Sequence, residues 1–307
     1  MKVNLKNLNK VITISTMFIL FSVFVTSCQK EELIKKQSPS ISSNDSESEL
    51  IDGWITTEKP VFNKKTKRNK ASQRVLWVLG AGGQIYRSYD DGVSWTEPSP
   101  SSAAKQISAG DGGLWGISPD DRIWRWNGTT WIQPNSSARA VQISCMSDGE
   151  AWVVTSAGNV YFTTNSGVSY YPADISSTGP LQEVSVGNYN NVYGVTDDEH
   201  LVRYNYYTNK FELVGAVTEF IEAGSTVDFL YAVGANNRLF YSTNGGANWT
   251  EPNVNNVVYD MATITNSTVF AIGASGRIFK STNYGTTWIE PNLSATATQI
   301  TEGIEYN

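Results

Sequence analysis

From Arg74 onward apolar and polar residues alternate in short bursts separated by Gly-, Asn-, Asp- and Ser-rich turns, with no helical period. An aromatic residue recurs as Trp95, Trp131, Tyr170, Phe211, Trp249 and Trp288, at spacings of 36, 39, 41, 38 and 39. Upstream of each lies a predicted strand: Ile85-Tyr86-Arg87, Ile123-Trp124-Arg125, Val160-Tyr161-Phe162, Leu201-Val202-Arg203, Leu239-Phe240-Tyr241 and Ile278-Phe279-Lys280. Earlier still comes another, seen in Trp77-Val78-Leu79, Trp115-Gly116-Ile117, Trp152-Val153-Val154, Tyr193-Gly194-Val195, Tyr231-Ala232-Val233 and Phe270-Ala271-Ile272. A unit near 40 residues with four short strands has the size of a propeller blade, so the pattern predicts an all-β, six-bladed β-propeller over residues 74–307. An opening strand, such as Gln106-Ile107-Ser108, precedes every unit but the first. The missing piece stands at the C-terminus, where Gln299-Ile300-Thr301-Glu302-Gly303 matches Gln106-Ile107-Ser108-Ala109-Gly110. The C-terminal strand is therefore expected to complete the first blade, closing the ring and covering its edges.

The N-terminus follows a different pattern. Lys2, Lys6 and Lys10 precede an almost wholly apolar run from Val11 to Val25, which stops at Thr26-Ser27-Cys28. Residues 1–27 read as a signal peptide. The order Val25-Thr26-Ser27-Cys28 resembles the lipobox of bacterial lipoproteins, which implies acylation of Cys28 and a membrane anchor without a spanning helix. Gln29-Lys30-Glu31-Glu32 resembles a short export signal for lipoproteins on the outer face of the outer membrane. The expected location is thus a lipid-anchored, surface-exposed position on that membrane, with the periplasmic leaflet as the alternative. Residues 28–73, Ser-, Asn- and Lys-rich and without period, read as a disordered tether. About 40 such residues span on the order of 35 Å.

The second repeat, Gly112-Gly113-Leu114-Trp115-Gly116-Ile117-Ser118-Pro119-Asp120-Asp121-Arg122-Ile123-Trp124-Arg125, resembles the repeat of tectonin and tachylectin-type proteins. That resemblance implies a six-bladed propeller in a family that includes sugar-binding lectins. Repeats one, three, five and six depart from it with a longer turn similar to the Asp-box of sialidases, as in Ser88-Tyr89-Asp90-Asp91-Gly92-Val93-Ser94-Trp95. Asn165, Asn244 and Asn283 replace the box aspartate in the other three. An Asp or Asn that bonds nearby backbone, a Gly at positive φ and an aromatic beneath the loop make a structural turn, without catalysis.

Composition narrows the partners. The 307 residues are 40% apolar and 12% aromatic, which excludes collagen, a disulfide-stapled miniprotein and wholesale disorder. The net charge of -6 divides into +5 over residues 1–70 and -11 over the rest. An acidic body repels phosphate backbones, so nucleic acid is not expected as a partner.

Carbohydrate recognition needs aromatic faces for sugar rings and polar side chains for hydroxyls, and 10 Trp, 15 Tyr and 11 Phe supply the first in excess. Tyr86, Trp124, Tyr161, Phe240 and Phe279 share one register and read as packing between blades. Trp126 and Tyr204 stand where other repeats carry Ser or Thr, and are candidates for exposure near the box-turn side. On the opposite rim, candidate ligand-binding tips are Asp120 and Asp121, Asp197 and Asp198, and Asn236 and Asn237; solvated turns are the alternative at each. Arg87, Arg125 and Arg203 recur at one blade position, which argues for a repeat role instead of an asymmetric catalytic cluster. His200 lacks partners at metal-ligand spacing, and Cys145 reads as core. No enzyme activity, metal or cofactor is expected. The function expected is lectin-like glycan binding by a non-catalytic module; the alternative is a protein-interaction platform serving an outer-membrane partner.

Overall fold

A computed structural model describes residues 71–306 except 189–190, 218–219 and 224–227. The expected signal peptide, Cys28 and the expected tether up to residue 70 lie outside the described residues. Among the described residues no helix is long and apolar enough to cross a membrane.

The strands, in chain order, are β1 (Ser72–Leu79), β2 (Ile85–Ser88), β3 (Gln106–Gly110), β4 (Gly113–Ile117), β5 (Ile123–Trp126), β6 (Trp131–Ile132), β7 (Gln142–Cys145), β8 (Ala151–Val154), β9 (Val160–Thr163), β10 (Tyr171–Pro172), β11 (Leu181–Asn188), β12 (Asn191–Thr196), β13 (His200–Asn205), β14 (Lys210–Val217), β15 (Phe220–Ala223), β16 (Leu230–Gly234), β17 (Arg238–Ser242), β18 (Asp260–Thr263), β19 (Val269–Ile272), β20 (Ile278–Ser281) and β21 (Gln299–Tyr306). They form six antiparallel sheets. Sheet 1 has the order β2-β1-β21; β3 to β6, β7 to β10 and β11 to β14 make sheets 2, 3 and 4; β15 to β17 and β18 to β20 make sheets 5 and 6.

The last strand pairs with the first over eight residues, from Ser72 opposite Tyr306 to Leu79 opposite Gln299. Pairing therefore begins at Ser72, two residues before the boundary expected from sequence. The innermost strands touch in cyclic order, β21 to β3, β7, β11, β15, β18 and back to β21. Each presents an edge whose N–H groups need acceptors. Side chains of the preceding sheet supply them: the Ile107 amide donates to Gln299 Oε1 (2.7 Å), Ile143 to Gln106 Oε1 (2.8 Å), Val184 to Gln142 Oε1 (3.2 Å), Ile221 to Glu183 Oε2 (3.3 Å) and Ile300 to Asp260 Oδ2 (2.6 Å).

Outer strands differ from the expected four per unit. Sheets 1, 5 and 6 end in single bridges, Arg87 to Thr96, Tyr241 to Thr250 and Lys280 to Ile289. Pro98, Pro252 and Pro291 follow those bridges and have no N–H to extend a ladder. Sheet 4 has no proline there, and β14 runs for eight residues.

The core is built from the second strand of each sheet. Trp77, Trp115, Trp152, Tyr193, Tyr231 and Phe270 are all at most 1% exposed, and each contributes roughly 2–3 kcal/mol of apolar burial. The register of Tyr86, Trp124, Phe240 and Phe279 is only half-buried, and of that set Tyr161 alone is core. In register with the buried aromatics stand Arg87, Arg125 and Arg203. Arg87 lies 5.8 Å from the Trp77 ring and 3.3 Å from Glu305; Arg203 lies 5.4 Å from the Tyr193 ring and 2.7 Å from Asp228. Their recurrence is thus a packing role.

The box turns are built as expected. Asp90 Oδ1 accepts from Ser88 Oγ (2.8 Å) and the Ser94 amide (2.9 Å), and Asn165, Asn244 and Asn283 accept the equivalent amide at 3.0, 2.9 and 2.9 Å. Gly92 has φ +85°, and its amide donates to Ser88 Oγ at 2.9 Å.

Candidate ligand-binding site

Between sheets 1 and 2 lies a cavity of about 310 Å³, lined by Ile85, the segment 101–104, Gly116, Ile117, Ser118, Asp120, Arg122, Trp124 and Trp131. The turn joining β4 to β5 shapes it. The Ser118 amide donates to the Arg122 carbonyl at 3.0 Å, and Asp121 holds φ +68°, a conformation Asp tolerates. Within the turn Asp120 Oδ1 accepts from Ser118 Oγ at 2.6 Å, and its Oδ2 lies 2.7 Å from Arg122 Nε. The Ser118 hydroxyl, and behind it Arg122, hold the exposed Asp120 carboxyl below the usual range, so it stays charged at neutral pH. Trp124 Nε1 donates to Ser118 Oγ at 3.3 Å, tying one indole to the same turn. Gly116 makes room for the other: a Cβ there would lie 3.3 Å from ring atoms of Trp131. Two indoles and an Asp–Arg pair thus border one concavity, suited to a ring with an apolar face and hydroxyl edges.

This sheet differs from its counterparts by one residue that the sequence reading missed. In sheets 5 and 6 the arginine opening the third strand is held by a carboxylate two residues beyond the repeat tryptophan, Arg238 by Glu251 and Arg277 by Glu290. In sheet 2 that place belongs to Gln133, whose amide nitrogen is buried without a hydrogen bond. Arg122 pairs with Asp120 at the cavity instead. Comparing Trp131-Ile132-Gln133-Pro134 with Trp249-Thr250-Glu251-Pro252 would have found it.

The other expected tips are not gathered into this site. Asp121 pairs with Lys105. Asp198 accepts from Thr196 Oγ1 and His200 Nδ1 (3.1 Å), which depress its carboxyl in that order. Aligning Ile117 with Val195 makes Asp198 the equivalent of Asp120, and Glu199, with φ +65°, the equivalent of Asp121. The expectation of equal placement is corrected there: Asp197 lies one residue early. Asn236 and Asn237 occupy the corresponding turn of sheet 5, both at positive φ.

Trp126 and Tyr204 are corrected as to exposure, at 6% and 4%. Trp126 packs against Trp131 with centroids 5.5 Å apart, and Tyr204 lies edge-on to Trp152 at 4.6 Å. The reason is the turn. In box repeats a buried Ser or Thr hydroxyl at this position binds the long loop; in the two short-turn repeats an aromatic ring fills the space.

Cys145 is buried and donates to the Ser147 carbonyl at 3.1 Å, and burial pushes its thiol well above the usual range. Among the described residues no three His, Cys, Asp or Glu are placed to hold one metal ion.

Several solved structures superpose on part of the chain at low identity. YCF48 bound to D1 peptide superposes with a TM-score of 0.49 at 17% identity, covering 70% of this chain and 77% of that one. YCF48 from Cyanidioschyzon merolae gives 0.47 at 15%, covering 74% and 87%. The Niastella koreensis GH74 enzyme gives 0.49 at 15% over 77% of this chain, which spans 41% of that chain. No curated protein matches the sequence. The Tectonin domain model matches residues 65–228, more than half the length, across the repeat that carries Trp115, Asp120, Arg122 and Trp124. With the sheets and the repeat in agreement, this chain belongs to the tectonin domain family.

Proposed function

We propose that this chain is a non-catalytic carbohydrate-binding module that takes a sugar ring in the cavity between sheets 1 and 2. The observation that carries the reading is the placement of Trp124 and Trp131 beside the charged Asp120–Arg122 pair. An indole face stacks on the apolar face of a pyranose, while carboxylate and guanidinium exchange hydrogen bonds with its hydroxyls. Water competes for those bonds, so single-site affinity is weak. The lipobox at Cys28 supports a lipid-anchored location, where many copies on one surface convert weak contacts into avidity.

Two results are expected. On a glycan array, the Cys28→Ser chain binds a restricted set of sugars, and Trp124→Ala or Asp120→Asn lowers that binding on the order of tenfold, with a nearly unchanged melting temperature. A silent array, together with capture of an outer-membrane protein by the lipidated form, would replace the lectin reading with the interaction platform. In cells, Cys28→Ala abolishes lipid labelling and releases the protein, and external protease removes the body from intact cells. Full protection from protease would place the anchor in the periplasmic leaflet.

A further inference from the structure

A second cavity, of about 810 Å³, is lined by the inner strands of all six sheets and has no part in the sugar site. Its charge is one-sided. Glu183, Glu222, Asp260 and Glu302 lie on four consecutive sheets, 4, 5, 6 and 1, whereas sheets 2 and 3 offer Gln106 and Gln142 as latches. The glutamines show that the latch needs only one neutral acceptor, so the charge at Glu183 and Asp260 is not required by the ring. Glu183 binds the Ile221 amide through one oxygen and has a second for another partner, whereas Asp260 takes the amides of Ile300 and Met261. Glu222 accepts from Ser185 Oγ at 3.3 Å. The facing charges are few: Arg74, half-exposed and 3.4 Å from Glu302, is the one cation among the described lining residues, and Asp111 adds a carboxyl bonded to Tyr306.

An independent sign of a missing partner is Thr263. It lines the same cavity from β18, is 9% exposed, and its hydroxyl has no hydrogen bond. A buried hydroxyl in a native fold is ordinarily satisfied, and a polar ligand in the cavity would do so.

We propose that the axial cavity binds a linear organic polycation, whose ammonium groups pair in turn with Glu183, Glu222, Asp260 and Glu302. A single metal ion does not match, because no three of these groups are placed to share one. Carboxylates distributed around an arc suit charges distributed along a flexible chain, and the methylenes between ammonium groups can lie on Met146, Ile264 and Ile304. The amides and hydroxyls of the neutral arc accept the remaining N–H bonds. Burial raises all four carboxyls, to about 8 at Glu222 and about 7 at Asp260 and Glu302, so near neutral pH an entering cation displaces protons.

The test is titration of the full chain, in detergent, with spermine at pH 7.5 and fixed ionic strength, by calorimetry in two buffers of different ionisation enthalpy. The expected result is saturable binding of about one spermine per chain with net proton release. Glu222→Gln and Asp260→Asn each weaken it about tenfold or more. Asp260→Asn keeps an acceptor for the Ile300 amide and Glu222→Gln one for the Ser185 hydroxyl, so both variants fold, as a cooperative melt would verify. Trp124→Ala leaves spermine binding unchanged, which separates this site from the sugar site. Binding that does not saturate, that survives both substitutions, that releases no protons from the unmodified chain, or that magnesium matches in affinity would overturn the proposal.

Discussion

A chain ending at Leu293 loses cooperative unfolding. The deletion removes β21, and with it the eight-residue ladder to β1. Trp77 and Leu76, each 1% exposed in the intact body, would then lie on an unpaired edge strand. Ile300, 2% exposed, leaves the cluster it shares with Leu76, Val78 and Phe270. A buried Ile truncated only to Ala costs about 2–5 kcal/mol, against a total stability of about 5–15 kcal/mol. The latches Gln299 to Ile107 and Thr301 to Ala109 disappear as well, so sheet 2 loses its neighbour on one side. Calorimetry should show a broad transition, or none, where the full body gives a sharp one. A truncated chain that melted like the intact body would mean that β21 contributes no closure. Ile300→Ala tests the same idea more gently and should lower the melting temperature by roughly 5–15 °C, given about 2–4 °C per kcal/mol in a body of this size.

Stability should also fall as pH rises from about 4 to about 8. In the unfolded chain Glu183, Glu222, Asp260 and Glu302 titrate near 4. Folding buries them together, and burial is the leading cause of the upward shift in every case. Asp260 adds its charge to Glu222, and Glu222 and Asp260 add theirs to Glu183; Arg74 works in the opposite sense at Glu302. Across that window the folded chain retains protons that the unfolded chain has released. The stabilisation is therefore complete below about pH 4 and is lost as pH rises through about 7 to 8. The depressed carboxyls of Asp90, Asp120, Asp174 and Asp198 act in the opposite direction, at the acid end of the scale. The melting temperature should accordingly peak near pH 5 and drop by on the order of 10 °C toward pH 9. Asp260→Asn retains an acceptor for the Ile300 amide while removing one titrating group, so it should flatten the alkaline limb. A profile that stayed level from pH 5 to 9, or a variant as steep as the parent, would contradict this account.

The repeats, the all-β class and the pairing of β21 with β1 were legible because they depend on local signals. Aromatics at a 36–41-residue spacing, period-two alternation and Asp- or Asn-based turns each have a short-range cause. The match between Gln299-Ile300-Thr301 and Gln106-Ile107-Ser108 was readable for the same reason: equivalent strands in a ring meet equivalent neighbours. The proposed lipidation and export rest on sequence signals alone, at Cys28 and residues 29–32.

Exposure and convergence were decided only by the tertiary structure. Trp126 and Trp124 are two residues apart on one strand, yet the first is 6% exposed and packed between sheets while the second borders a cavity. Turn length in each repeat sets that outcome, through whether a hydroxyl or a ring must fill the space under the third strand. Asp120 and Asp198 look alike in sequence, but only Asp120 faces two indoles, because Trp124 and Trp131 occur in its sheet. The four axial carboxylates are spread over residues 183 to 302 and read individually as ordinary strand residues. Closing the sheets around an axis brings their sides together in a confined space, and charge that would be solvated on a single strand becomes buried and mutually repelling.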